Sequence, residues 1–209
     1  MIVLLQNVLT ADQVAAILAD LGRSGDDGAE AGDRHGGAIG AALMSHEPYI
    51  NAILPTALTP FRFDRHVPDS VIQDRMDSPL SQLGTPQSMR IDAICVMFLT
   101  DPNSYDGGEL IIDCSTTPTP LKLPAGNAVI FPATDFYTAN PVERGERWIA
   151  CCGIQSVVRG TREREILTEM WVALNDFKTL APSGGAAEND GVKILGKARS
   201  NLIRLLADS

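Results

Sequence analysis

The opening apolar run "MIVLL" reads as a first strand, since it lacks the basic flank and small-residue cleavage site of a signal peptide. The stretch "LTADQVAAILADLG" then predicts a helix. Thr10 is placed to cap it and Gln13 completes a capping box. Val14, Ile17, Leu18 and Leu21 form one apolar stripe, which Gly22 ends. Residues 22–40 are rich in glycine and charge and read as a loop suited to a lid. "EPYINAILPTAL" predicts a second helix, broken or kinked near Pro55.

From about residue 60 the apolar period changes to two. "FRF", "IDAICVMFL", "GELIID", "TPLKL", "NAVIFP" and "RWIACCGIQS" are short strands separated by turns such as "DPNSYDGG", "LPAGN" and "VERGE". Asp106, Gly107 and Gly108 in the first of these read as a hairpin turn, glycine supplying the positive φ. Short strands at this spacing predict a barrel or jelly roll. "TREREILTEMWVALNDF" returns to helical spacing and assigns Ile166, Met170, Trp171 and Leu174 to the core. "APSGGAAENDG" reads as a flexible link and "VKILGKARSNLIRLLA" as a closing amphipathic helix. No internal repeat occurs. Helices at both ends of a strand block define the α+β class. The expected layout is one domain over 1–180 with its strand core at about 60–156, a linker over 181–191, and a C-terminal helix over 192–209 packed on the same domain.

A chain of 209 residues, 44% hydrophobic, suffices for one sizeable core. Its 17 basic against 26 acidic residues give a net charge of -9, which argues against nucleic acid and anionic membranes as partners. No stretch approaches the ~18 apolar residues of a membrane span. Of the four cysteines, Cys95, Cys151 and Cys152 lie in apolar strands. Cys114 joins them as a reduced thiol, and the location expected is cytoplasmic. His35, His46 and His66 show no zinc-ligand spacing to these cysteines.

The stretch "DRMDS" carries the chemistry. Residues two apart in a strand or tight turn project to one side, so Arg75 and Asp77 should face one pocket. A histidine at position 75 would make a His-x-Asp pair, two ligands of the two-histidine, one-carboxylate iron site. Arginine is a permanent cation and cannot coordinate a metal.

"DPNSYDGGELIID", "KLPAGNAVIFP", "NPVERGERW" and "IQS" resemble the PKHD-type hydroxylases of the prolyl-4-hydroxylase-like superfamily, and the likeness extends over nearly the whole chain. The resemblance implies a double-stranded β-helix and iron(II)- and 2-oxoglutarate-dependent dioxygenase chemistry. It places the family's first histidine at Arg75, its carboxylate at Asp77, its distal histidine at Tyr137 and its 2-oxoglutarate-binding arginine at Arg147. Arg90 and Asp92 also match the pattern. Neither histidine is present. Asp77 alone does not hold iron(II), and Arg75 sets a positive charge where the metal would sit. Arg75 and Asp77 are instead expected to form an ion pair.

The remaining candidates stay open. His66, in "FRFDRH", either lines the barrel as a ligand-binding or alternative metal-site residue or is satisfied by ordinary hydrogen bonds; His35 and His46 are expected to be solvated. Arg147 is either a fixed cation for a carboxylate or phosphate, or the partner of Glu143 or Glu146. Tyr137 is either a core aromatic or a hydroxyl donor. The leading function is a dioxygenase fold with a degenerate facial triad, needing no cofactor, that binds a small anionic ligand or partner through Arg147, His66 and Arg90; a homodimer is compatible with it. One alternative is a cofactor-independent isomerase, cyclase or lyase using Arg75, Asp77 and Tyr137. Another is an active PKHD-type hydroxylase with iron(II) and 2-oxoglutarate at a non-standard metal site.

Overall fold

The computed structural model describes residues 1–24, 31–70, 72, 74–113, 120–180 and 190–207. In chain order the elements are β1 (Val3–Leu5), α1 (Ala11–Ser24), α2 (Ala31–Ser45), α3 (Glu47–Ile53), β2 (Pro55–Leu58), β3 (Arg62–His66), β4 (Leu80–Ser81), β5 (Met89–Arg90), β6 (Ala93–Phe98), β7 (Asp106–Gly107), β8 (Leu110–Asp113), β9 (Ala128–Pro132), β10 (Phe136–Ala139), β11 (Val142–Arg144), β12 (Arg147–Ser156), α4 (Thr161–Leu180) and α5 (Asp190–Leu206). The major sheet is antiparallel, in the order β1-β9-β6-β12-β2, and β3 also pairs with β12. Strand β12 is its spine: β6 runs along one side, and β3 and β2 share the other.

Alternation along these strands builds two cores. Trp148, Ala150, Cys152 and Ile154 of β12 face the helices with Cys95, Met97 and Ile130. Against them pack Val14, Ile17 and Leu21 of α1, Ile39 and Leu43 of α2, and Tyr49 and Ile53 of α3. Ile149 and Cys151 face the other way, with Val96, Phe98 and Phe131, toward Leu110 and Ile112 of β8 and Tyr137 of β10. The pairs β8–β10 and β7–β11 cover that second face. This is the double-stranded β-helix, α+β in class, with the second core as its barrel interior.

Helix α1 carries its capping box as the sequence predicts: the Thr10 amide donates to Gln13 Oε1 at 2.8 Å and the Gln13 amide to Thr10 Oγ1 at 3.3 Å. Gly22 does not end it; the helix runs to Ser24. Much of the expected lid loop is also helix, since Ala31–Ser45 forms α2, while 25–30 lies outside the described residues. Its glycines are packing residues. A Cβ at Gly36 would stand 3.4 Å from Phe61 and one at Gly40 would stand 3.6 Å from Leu58, so the bare backbone lets Ile39 and Leu43 reach the core.

The second predicted helix stops at Ile53 instead of kinking. Leu54 takes a left-handed turn and Pro55 opens β2, in keeping with proline's bias against helix in the residue before it. Asp106 and Gly107 form β7 instead of a hairpin turn, with Gly107 and Gly108 at positive φ. In α4 the deepest apolar residue is Leu167, whereas Ile166 is 40% exposed, and Met170, Trp171 and Leu174 are half-buried. Arg199 of α5 donates to the Leu167 and Asn51 carbonyls, pinning that helix to the domain. Of the expected linker, 181–189 lies outside the described residues, and Asp190 and Gly191 already belong to α5. Leu121 of the expected "TPLKL" strand bridges Leu110, and 114–119, with Cys114, lies outside the described residues. Cys95, Cys151 and Cys152 are buried free thiols. Among the described residues no helix is long and apolar enough to cross a membrane.

Two glycine substitutions should move stability in opposite directions. A Cβ on Gly107, at φ 71°, would overlap the Pro141 carbonyl oxygen. Gly107→Ala should therefore cost well over 1 kcal/mol in urea denaturation. Gly22 is helical and meets nothing within 4 Å, so Gly22→Ala should stabilise by about 0.5–1 kcal/mol. Equal midpoints for the two variants would contradict this backbone assignment.

Candidate functional site

The site grows from the pairing of β3 with β12. Arg62, Asp64 and His66 alternate onto one face of β3, and the register sets them opposite Cys151, Ile149 and Arg147. That face is the barrel interior. Arg62 clamps Asp64, Nε to Oδ1 at 2.9 Å and Nη2 to Oδ2 at 3.0 Å. Arg147 reaches across to His66, Nη1 to Nδ1 at 2.8 Å. A guanidinium can only donate, so Nδ1 is the acceptor and the proton of the neutral ring sits on Nε2. Burial, followed by the Arg147 charge, pushes the His66 pKa down to about 4.

Arg147 is 1% exposed, and burial presses its pKa downward. Its guanidinium lies 5.6 Å from the centre of the Phe98 ring. The bare Gly108 makes room for its stem, since a Cβ there would stand 3.0 Å from Arg147 Cδ. Its Nε and Nη2 have no hydrogen-bond partner among the described residues. The buried Tyr105 hydroxyl is near enough to interact with this charge, yet it too lacks a partner of hydrogen-bond geometry. These three polar atoms therefore sit together in the barrel, close enough to interact with one another but without well-formed hydrogen bonds.

Arg75 and Tyr137 meet through their backbones, with N–H to carbonyl distances of 2.8 and 2.9 Å in the two directions. The Tyr137 ring stands edge-on to Phe131, and its hydroxyl donates to Asp77 Oδ2 at 2.8 Å. Burial, and then the carboxylate it bonds, raise the Tyr137 pKa and keep the phenol neutral. The expected Arg75–Asp77 ion pair does not form. Arg75 Nη1 lies 3.5 Å from Asp64 Oδ2, because β3 brings Asp64 under it while Tyr137 occupies Asp77. Asp64, His66, Arg75, Tyr137 and Arg147 line one recess of ≈ 40 Å³. Asp77 lies beyond the Tyr137 hydroxyl, on a neighbouring pocket of ≈ 320 Å³ that also holds Arg62.

Other expectations need correction. Arg90 bonds Asp92 at 2.7 Å and the Ser156 carbonyl at 2.9 Å and does not line the recess; it ties β5 to the end of β12. Arg147 pairs with neither Glu143 nor Glu146, being buried, while Glu146 pairs with Arg65 at the surface. His35 is not simply solvated, since it bonds Asp20 at 2.9 Å, and His46 bonds the Gln6 carbonyl at 3.0 Å. Asp64, Arg62 and Tyr105 were not among the sequence candidates. The alternation in "FRFDRH" that points to His66 also carries Asp64 and Arg62; Tyr105 has no comparable signal.

The residues present do not fit an iron(II) ion. No group of three or more His, Cys, Asp or Glu side chains suited to a metal occurs among the described residues. The Asp77 carboxylate is engaged by a phenol, His66 Nδ1 by a cation, and Arg75 brings further positive charge.

No family model matches the chain. It is 36% identical over 148 residues to a PKHD-type hydroxylase of Bordetella pertussis, covering 70% of this chain and 66% of that protein. It is 36% identical over 182 residues to one of Verminephrobacter eiseniae, covering 86% and 78%. It is 32% identical over 232 aligned positions to one of Burkholderia ambifaria, over the full length of both. The chain thus spans about two thirds of the Bordetella relative and all of the Burkholderia one. The fold is similar to that of a Pseudomonas putida prolyl-4-hydroxylase, with TM-score 0.52, 18% identity, and coverage of 74% of this chain and 92% of that one. It is also similar to a Trichoplax adhaerens prolyl hydroxylase solved with a hypoxia-inducible-factor peptide, with TM-score 0.55, 12% identity, and coverage of 79% and 86%. On sequence and fold together, the chain belongs to the PKHD-type hydroxylase family.

Proposed function

We propose that this member of the family binds a small carboxylate in its barrel without iron. The observation that carries the reading is Arg147, a buried cation whose Nε and Nη2 have no acceptor among the described residues. Those two nitrogens form one edge of the guanidinium, and a carboxylate meets such an edge with two parallel charge-assisted hydrogen bonds. Leaving them empty costs desolvation with no compensating bond. His66 keeps the third side of the fork occupied and holds that edge toward the recess. The Tyr105 hydroxyl offers a further donor beside it.

A second reading, an iron(II)- and 2-oxoglutarate-dependent hydroxylase, is favoured by the names of the relatives and by a neighbour of the same fold, a Streptomyces hygroscopicus protein with nickel and 2-oxoglutarate bound. It needs a metal donor set that the described residues do not offer. Two measurements separate the readings. Under EDTA, pentanoate should raise the melting temperature of the wild type and not of Arg147→Gln. Anaerobically iron-loaded protein should retain no stoichiometric iron and form no succinate from 2-oxoglutarate and oxygen. Retained iron with succinate formation would establish the hydroxylase instead.

The Arg147–His66 bond also sets a pH dependence. The native pKa of His66, about 4, lies below its ordinary 6.5, so between these values the unfolded chain takes up a proton that the native one refuses. Stability contributed by neutral His66 is thus complete above pH 6.5 and lost as pH falls through 4. Allowing for its partial exposure, the loss is about 1–3 kcal/mol. Comparing urea denaturation of the wild type with His66→Gln, which can still accept from Arg147, isolates the contribution. Parallel stability curves from pH 7 to 4 would show that His66 titrates normally.

A further inference from the structure

The outer wall of the barrel carries an apolar surface that the recess does not use. In the β8–β10 pair, Tyr137 and Ala139 lie opposite Ile112 and Leu110, and all four are buried. Alternation therefore turns Phe136 and Thr138 outward, opposite Asp113 and Ile111. The Arg75–Tyr137 bridge adds one more row to this face. Arg75 and Tyr137 line the recess, so Asp74 and Met76 on either side of Arg75 turn outward beside Thr138 and Phe136. Phe136 is 52% and Met76 54% exposed. Asp74, Ile111, Asp113, Phe136 and Thr138 line a groove of ≈ 470 Å³ on this face.

Apolar side chains gathered on one exposed face mark a contact surface, and methionine adapts to whatever shape is laid on it. The carboxylates on the same face say what kind of partner fits. Asp20, Asp64, Asp92 and Asp106 each meet an arginine of this chain. Among the described residues neither Asp74 nor Asp113 meets a cation. Arginine matches both features, since its planar guanidinium stacks on an aromatic ring while its donors engage a carboxylate. Directly opposed residues of an antiparallel pair stand about 5 Å apart at Cβ, so one guanidinium reaches both the Phe136 ring and the Asp113 carboxylate. A second copy of this chain is a poorer match, because two such faces laid together would crowd their carboxylates without a counter-ion. The same charges, and a net charge of -9, repel nucleic acid and anionic membranes.

We propose that this face docks a short arginine-bearing segment of a partner protein. One guanidinium stacks on Phe136 and bonds Asp113, and apolar neighbours in the segment lie on Met76 and Ile111. The docking surface is separate from the carboxylate site at Arg147 and does not rest on it.

The probe is a fluorescein-labelled hexapeptide of alternating arginine and valine, compared with the same peptide carrying citrulline, which keeps the shape of arginine and loses its charge. In fluorescence anisotropy at low salt, the arginine peptide should bind about fivefold or more tightly, as one surface charge pair and one cation–π contact imply. Asp113→Asn should bring the arginine peptide to the citrulline level, and Phe136→Ala should weaken it further. Asp12→Asn, which removes an exposed charge from α1, should change nothing. Asp113 and Phe136 are exposed, so both variants should keep the wild-type circular dichroism spectrum. Equal wild-type affinity for the two peptides would overturn the proposal, as would arginine-peptide binding that survives both Asp113→Asn and Phe136→Ala. A wild type that scatters light as a dimer, dissociated by Phe136→Ala, would give the face to a second copy instead.

Discussion

A guanidinium buried to 1% exposure, with two of its nitrogens lacking a well-formed hydrogen bond among the described residues, is the constraint around which the barrel is arranged. An uncompensated cation at that depth is among the costliest groups a core can hold. The surroundings each answer part of that cost. The β3–β12 register puts His66 where it accepts one nitrogen. Phe98 lies beside the cation, and Gly108 gives up its side chain so that the stem can pass. What stays unanswered is the Nε–Nη2 edge, on which the proposed carboxylate site rests.

How much of this was legible in the sequence depends on whether the signal is local. Period-two strands and the Thr10–Gln13 capping box are local, and both are in place. Helix α2 was read as a loop because glycine disfavours helix in isolation. Its glycines instead serve contact with Phe61 and Leu58, a tertiary fact that no window of the chain contains. The same applies to the site. Motif resemblance put Arg75, Asp77, Tyr137 and Arg147 on one cavity; the structure brings Arg75, Tyr137 and Arg147 together and sets Asp77 on the neighbouring pocket. The partner of Arg75 was misassigned because Asp77 is near in sequence, whereas Asp64 is brought near by strand pairing. Arg90 shows the converse: a residue that matches the family pattern, yet holds β12 in place away from the recess.

The relatives are named PKHD-type hydroxylases, and the chain is up to 36% identical to them over the aligned residues. In the recess itself, Arg147 and Arg75 supply positive charge, neutral His66 joins them, and Asp64 is already balanced by Arg62. The recess thus carries more positive than negative side-chain charge, which is the ground of the proposed anion site.

The Tyr137–Asp77 hydrogen bond is a further element of the site's charge balance. A carboxylate exposed in the recess would repel an anionic ligand and invite a cation. Tyr137 prevents both by donating to it at 2.8 Å and by standing between the recess and the ≈ 320 Å³ pocket beyond. Desolvation and the bond to Asp77 raise the pKa of the phenol and keep it protonated at neutral pH. On the far side, Asp77 shares its pocket with Arg62, whose other contact steadies Asp64 in the recess. The two compartments are therefore linked through the Tyr137–Asp77 and Arg62–Asp64 contacts, with Cys151 lining both.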